Sequence, residues 1–178
     1  MNSAPRHAFA IGIAALLASA WPASAQLSDC AAPPGPGVNW QRCQLNDRDM
    51  PGFDLTGANL REVNLSATDL TGARLVEIDG RRARLTAARL RNAVLDKAVL
   101  READLTRADL RGASLKGVDL RRAKLFRANL ERADLSGAQI DGADLLHAEL
   151  SGALWIDGRT RCSEGSSGQC RAARPNKE

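Results

Sequence analysis

The 178-residue chain contains no tyrosine, three phenylalanines and three tryptophans. Single-stranded nucleic acid is gripped by aromatic platforms set among basic residues, and so sparse a supply argues against that class of surface. Histidine is scarcer still, with only His7 and His147. Acid–base catalysis by imidazole would rest on His147, because His7 falls in a segment expected to be removed. The chain also has no Gly-rich phosphate loop, no nucleophile elbow and no HExxH pattern. No catalytic residue, metal site or cofactor is expected. Beyond Ala20 no apolar run approaches the roughly 20 residues that cross a bilayer.

What is present begins with an export pattern. Arg6 and His7 precede an apolar run from Ala8 to Ala20, and Ala23-Ser24-Ala25 has the small-x-small form of a cleavage site. Residues 1–25 are therefore expected to be a signal peptide, leaving a periplasmic or extracellular protein. Leu27-Ser28-Asp29-Cys30 is a poor lipoprotein box, since bulky, charged Asp29 stands where a small residue belongs.

All four cysteines, Cys30, Cys43, Cys162 and Cys170, lie beyond that segment. An even number in an exported chain points to disulfides. Of the three pairings, Cys30–Cys43 and Cys162–Cys170 are favoured because each pair flanks its own end of the central repeats. Zinc is disfavoured: neither spacing is CxxC and no histidine lies in either segment.

Between the cysteine pairs the chain keeps one register for about a hundred residues. Of the 21 positions at 55, 60, 65 and onward to 155, 18 are leucine; the exceptions are Gly80, Ile140 and Trp155. Two residues before each, 16 of 21 are alanine, and the residue between is often Asp or Asn, as in Ala58-Asn59-Leu60 and Ala103-Asp104-Leu105. A helix repeats at 3.6 residues and a strand at 2. A period of five fits neither, but it fits a coil that turns a corner every fifth residue.

The A-(D/N)-L-x-x unit resembles the pentapeptide-repeat family over about residues 43–157. That resemblance implies an all-β fold, a right-handed quadrilateral parallel β-helix of about five coils. Four pentapeptides make one square turn, with leucine and alanine inward and the last two places facing water. At a strand spacing of about 4.8 Å the rod would be about 25 Å long. Stacking alone makes such a core continuous. The chain then divides into a signal peptide (1–25), an N-terminal cap (26–52), the β-helix (53–157), and a C-terminal cap and tail (158–178). Trp40 and Trp155 are expected to cover the apolar bore. At Ile78-Asp79-Gly80 the large residue sits at the alanine place, so Ile78 is expected to fill part of the space Gly80 leaves.

Function must lie on the outward places. The net charge is +4, but it is unevenly spread. Residues 81–132 hold 15 Lys or Arg against six Asp or Glu, whereas 53–80 hold two against five and 133–157 none against five. A twenty-residue coil aligns Arg61, Arg81, Arg101 and Arg121 in one column, and Glu62, Arg82, Glu102 and Arg122 in the next; Arg91 stacks over Arg111 elsewhere. Arg61, Arg81, Arg82, Arg101, Arg121 and Arg122 are thus candidates for holding an acidic protein face or an envelope polyanion, against the plain reading of a self-compensating solvated surface. Phe126 and Leu146 form a candidate apolar contact beside Arg127 and His147, suited to a partner or to self-association.

Some members of the resembled family mimic DNA and protect type II topoisomerases. Mimicry of a duplex needs an acidic surface, and both the basic centre and the export pattern stand against it. The chain reads as a non-catalytic scaffold or interaction module of the cell envelope, its partner unknown.

Overall fold

The computed structural model describes residues 28–172. The expected signal peptide and the last six residues lie outside that range. Parallel one-residue bridges join each wall residue to the one twenty positions later, in an unbroken series from Asn39↔Asn59 to Asp134↔Leu154. Twenty residues are four pentapeptides, so the coil has four walls. No helix is present among the described residues.

Most corners are β-turns closed by one local hydrogen bond. Ala58 N donates to Leu55 O at 3.0 Å, and the same bond recurs as Ala73 to Leu70 and Ala108 to Leu105. The second outward residue of each corner has φ near +60°, as at Glu62, Arg82, Arg107 and Gly117. This is the conformation demanded of the third residue of a type II turn, where glycine is the easiest fit. Between corners, the leucine N–H donates to the next coil, as in Leu60 N to Asp79 O at 2.8 Å. The wall residue's N–H donates back, as in Asp79 N to Ala58 O at 3.0 Å. Backbone polarity is therefore satisfied from coil to coil, which lets the walls enclose an apolar interior.

The leucines from Leu55 to Leu135 are buried, as are the alanines beside them. At the irregular unit, Ile78 is buried, and a Cβ on Gly80 would lie 2.8 Å from Leu100 Cδ2 and 3.5 Å from Ile78 Cδ1. Those two side chains occupy the volume that the missing leucine leaves. Thr68, at an alanine place, is fully buried and donates its hydroxyl to Leu45 O at 3.0 Å.

The bridge series differs from the sequence boundary at one end. Residues 39–52 were expected in a separate cap but carry the first bridges, Asn39↔Asn59, Gln44↔Asn64 and Asp49↔Asp69. The sequence signal fades there because the inward corner places are Trp40, Leu45 and Met50, while Cys43, Arg48 and Phe53 replace alanine. Trp40 is buried beneath the preceding segment, with Nε1 donating to Ala32 O at 3.2 Å. Cys30 is bonded to Cys43 and Cys162 to Cys170, the local pairing. Beyond Trp155, which is partly buried against the core, the chain folds back in antiparallel bridges, Leu154↔Arg161 and Glu149↔Ser167.

Candidate functional site

The basic columns form as the twenty-residue repeat requires, but their guanidinium groups are largely engaged. Arg81 grips Asp79 through two bonds, Nε to Oδ1 at 2.9 Å and Nη2 to Oδ2 at 2.6 Å. Arg121 holds Asp119 in the same way, at 2.8 and 2.7 Å, and Arg101 Nε reaches that carboxylate at 3.2 Å. Asp109 is shared likewise by Arg91 and Arg111. Paired, planar contacts of this kind suit guanidinium and carboxylate geometry. Hydrogen bonds from Arg81 hold Asp79 below the usual carboxylate range despite its partial burial. Arg121 does the same for Asp119.

The second column is a ladder of alternating sign. Arg42 Nε meets Glu62 at 3.1 Å, Glu62 meets Arg82 Nη1 at 3.6 Å, and Arg82 Nε meets Glu102 at 3.9 Å. Among the described residues, Arg61 and Arg122 have no carboxylate within ion-pair distance. The candidate arginines are thus brought to one edge of the rod; Arg61 and Arg122 lie beyond ion-pair distance of a carboxylate, although Arg61 still acts on Asp79 at longer range.

The engaged partners were legible as a short motif. Asp79-Gly80-Arg81, Asp109-Leu110-Arg111 and Asp119-Leu120-Arg121 each place an acid on the wall two residues before an arginine at the corner. A hydrogen-bonded wall Asp is a recurring device. Asp54, Asp69 and Asp134 accept from the backbone N–H two residues on, so the same carboxylate braces the turn and presents an oxygen outward.

The apolar candidates share one corner, a coil apart, and Phe126 meets the polar residues beside it. Phe126 and His147 stack edge to face with ring centroids 5.8 Å apart, and the Arg127 guanidinium lies 5.1 Å from the Phe126 centroid. Phe126 is half-buried by these neighbours, while Leu146 stays 57% exposed. Arg107 and Arg127 on this corner have no ion-pair partner among the described residues, so the corner is cationic and apolar together.

One concavity escaped the sequence. A cavity of about 750 Å³ opens at the N-terminal end between Pro33-Pro34 and the Arg48, Met50 and Phe53 side of the first coil. Phe53, too large to lie beside a stacked leucine, turns out into it and is 41% exposed. No three His, Cys, Asp or Glu side chains converge to hold a metal among the described residues. None of their helices is long and apolar enough to cross a membrane.

A family model agrees with this architecture. The pentapeptide repeats model matches in eight copies over residues 41–75, 83–122 and 119–154. No curated protein matches the chain. Among solved structures, the chain is similar to HetL, a pentapeptide repeat protein involved in heterocyst differentiation regulation in the cyanobacterium Nostoc sp. strain PCC 7120. Identity is 28%, coverage is 69% of this chain and 81% of that one, and the TM-score is 0.36. A pentapeptide repeat protein of the Arabidopsis thaliana thylakoid lumen is 25% identical over 71% of this chain and 86% of its own, with a TM-score of 0.42. QnrB1, a plasmid-mediated fluoroquinolone resistance protein, is 19% identical over 66% of this chain and 65% of its own, with a TM-score of 0.45. Proteins of the matched family fold as right-handed quadrilateral β-helices and are generally non-enzymatic structural or interaction modules. With its five-residue register, four-walled coil and eight matched copies, the chain belongs to the pentapeptide repeat family.

Proposed function

We propose that this repeat scaffold is a non-catalytic interaction module exported to the cell envelope, and that its basic edge binds an acidic partner. The observation that carries the reading is the convergence of Arg61, Arg81, Arg82, Arg101, Arg121 and Arg122 along one edge of a rigid rod. The engaged arginines are held in fixed orientations by Asp79, Asp119, Glu62 and Glu102, while Arg61 and Arg122 are in no close ion pair among the described residues and are the least compensated. A charged edge of this form steers and orients an oppositely charged surface more than it sets affinity.

Export is supported by the hydrophobic segment that ends at Ala23-Ser24-Ala25 and by two disulfides, which persist in oxidising compartments. In this reading residues 1–25 are removed. The segment before Asn39 then covers one end of the rod, and residues 158–172 cover part of the other.

Salt-gradient retention of the purified protein on a sulfated matrix tests the binding edge. Substituting alanine at Arg61 and Arg122 should shift elution to lower salt more than substituting alanine at Arg81 and Arg121, whose charges are already compensated. Unchanged elution when all six arginines are replaced would overturn the reading. Crosslinking in the native envelope then identifies the partner captured.

A further inference from the structure

The four walls are not closed alike at the C-terminal end. In every inner coil, three groups per wall point toward the next coil: the alanine-place carbonyl, the leucine-place N–H and the N–H of the second corner residue. The returning chain satisfies these on two walls. Gly168 N donates to Ala148 O, Leu150 N to Ser166 O, Gly152 N to Cys162 O, Cys162 N to Ala153 O and Trp155 N to Thr160 O. On the other two walls the groups have no hydrogen-bond partner among the described residues. They are the carbonyls of Ala138 and Ala143 and the N–H groups of Ile140, Gly142 and Leu145; His147 N also lacks a partner but lies against Gly168 of the returning chain.

This open edge is apolar inside and acidic outside. Ile140, Ala143 and Leu145 are only partly buried against the core, although their counterparts one coil earlier, Leu120, Ala123 and Leu125, are fully covered. Leu146 stands exposed at its corner. The outward residues of this last layer are Asp141 and Asp144, both exposed; Asp141 lies within electrostatic reach of Arg121 beneath it, and Asp144 Oδ1 accepts from Leu146 N at 3.0 Å, leaving its other oxygen outward. The column beneath Asp144 alternates in sign, Arg84, Asp104, Lys124, Asp144, as the bridge series stacks them. A further layer at strand spacing would complete that alternation with a cation.

We propose that this edge receives an extended, basic segment of a partner protein as an added antiparallel strand. Such a segment would carry apolar residues over Ile140 and Leu145, and lysine or arginine over Asp141 and Asp144. Antiparallel pairing is what the neighbouring walls already accept from this chain's own returning segment. Strand addition of this kind draws affinity from main-chain bonds and specificity from alternate side chains. An uncovered edge is otherwise an aggregation hazard that proteins cover or charge. The surface adjoins the arginine edge at Asp141, one coil beyond Arg121, but it selects the opposite charge and uses backbone groups the arginines do not touch, so its failure leaves the acidic-partner reading standing.

The test uses the disulfide-bonded full chain and two end-blocked peptides of about seven residues, one alternating lysine with valine and one alternating glutamate with valine. Amide exchange followed by NMR reads the edge directly. The lysine peptide should slow exchange at Ile140, Gly142 and Leu145, and the glutamate peptide should not. A D141N/D144N variant, which removes the charges and keeps the side-chain oxygen that accepts from Leu146 N, should bind the lysine peptide about tenfold more weakly. Equal binding of both peptides, or of neither, overturns the proposal. Protection already present without peptide overturns it too. If that protection disappears on dilution, a second copy fills the edge; if it disappears on removal of residues 173–178, the chain's own tail does.

Discussion

Ile78 and Gly80 share one pocket of the core: the isoleucine Cδ1 lies 3.5 Å from the place a Cβ on Gly80 would take, with Leu100 Cδ2 closer still at 2.8 Å. The alanine and leucine places have exchanged bulk, and the bridges Asp79↔Val99 and Asn59↔Asp79 continue through the exchange. Gly80→Leu alone should therefore destabilise by about 1–3 kcal/mol through overpacking. Ile78→Ala alone should cost about 2–5 kcal/mol through a cavity. Combined, they restore the A-D-L unit, and the loss should fall short of the sum by about 1 kcal/mol or more. Urea denaturation of the four proteins measures the coupling; simple additivity would refute the shared pocket.

Thr68 replaces a missing turn bond. At most corners the alanine-place N–H donates to the leucine carbonyl three residues back, but Leu45 O receives the Thr68 hydroxyl from the next coil. Thr68→Val keeps the shape and removes the donor. The loss should be about 1–3 kcal/mol, the range for a buried polar group left unsatisfied. Stability of Thr68→Ser, which can still donate, should lie between wild type and Thr68→Val.

Glycine at the second corner place is favoured by backbone conformation. Gly112 has φ +65°, and a Cβ there would lie 2.5 Å from Asn92 Oδ1; Gly72 has φ +67° with nothing nearby. Gly72→Ala should cost about 1 kcal/mol from conformation alone. Gly112→Ala should cost more unless Asn92 swings away, and Asn92→Ala in the same chain should remove the difference. Thermal melts of the three variants decide it.

The wall and turn carboxylates set the acid limit. Asp157 is lowered to about 2, chiefly by its side-chain hydrogen bond from Thr160, then by the Thr160 and Arg159 backbone N–H groups. Its folded value is below its unfolded one, so its stabilisation is present above about pH 4. That contribution is lost as the pH falls through about 2. Hydrogen bonds also hold Asp54, Asp69, Asp79, Asp119 and Asp134 low, so the wider repeat should weaken in the same direction. Thr160 amide chemical shifts, followed from pH 5 to pH 2 (about 3 units, spanning the carboxylate range), should report the Asp157 turn loosening. Asp157→Asn should abolish that transition.

Each disulfide closes a short loop, 13 residues for Cys30–Cys43 and 8 for Cys162–Cys170. Chain entropy assigns about 2–3 kcal/mol to each. Reduction should lower the melting temperature while the far-UV spectrum of the coil persists below it. Loss of the spectrum at room temperature would show that the ends, and not the leucine stack, hold the rod.

The five-residue register pointed to a coil that turns every fifth residue, and the resemblance it carried implied the square turn and its inward places. The local cysteine pairing was favoured because each pair flanks its own end of the repeats. The register faded over residues 39–52, where Trp40, Met50 and Phe53 take places that leucine and alanine hold elsewhere; their membership of the coil is decided by backbone bridges to the next layer. The Asp-x-Arg spacing was visible, but whether the arginines are free or engaged depends on rotamers and on carboxylates shared between coils, as Asp119 is shared by Arg101 and Arg121. The partial closure of the C-terminal end could not be read in the sequence at all. Which walls a returning segment covers is set by where Cys162 and Gly168 land in space, and local sequence carries no record of a bond left unmade by a distant segment.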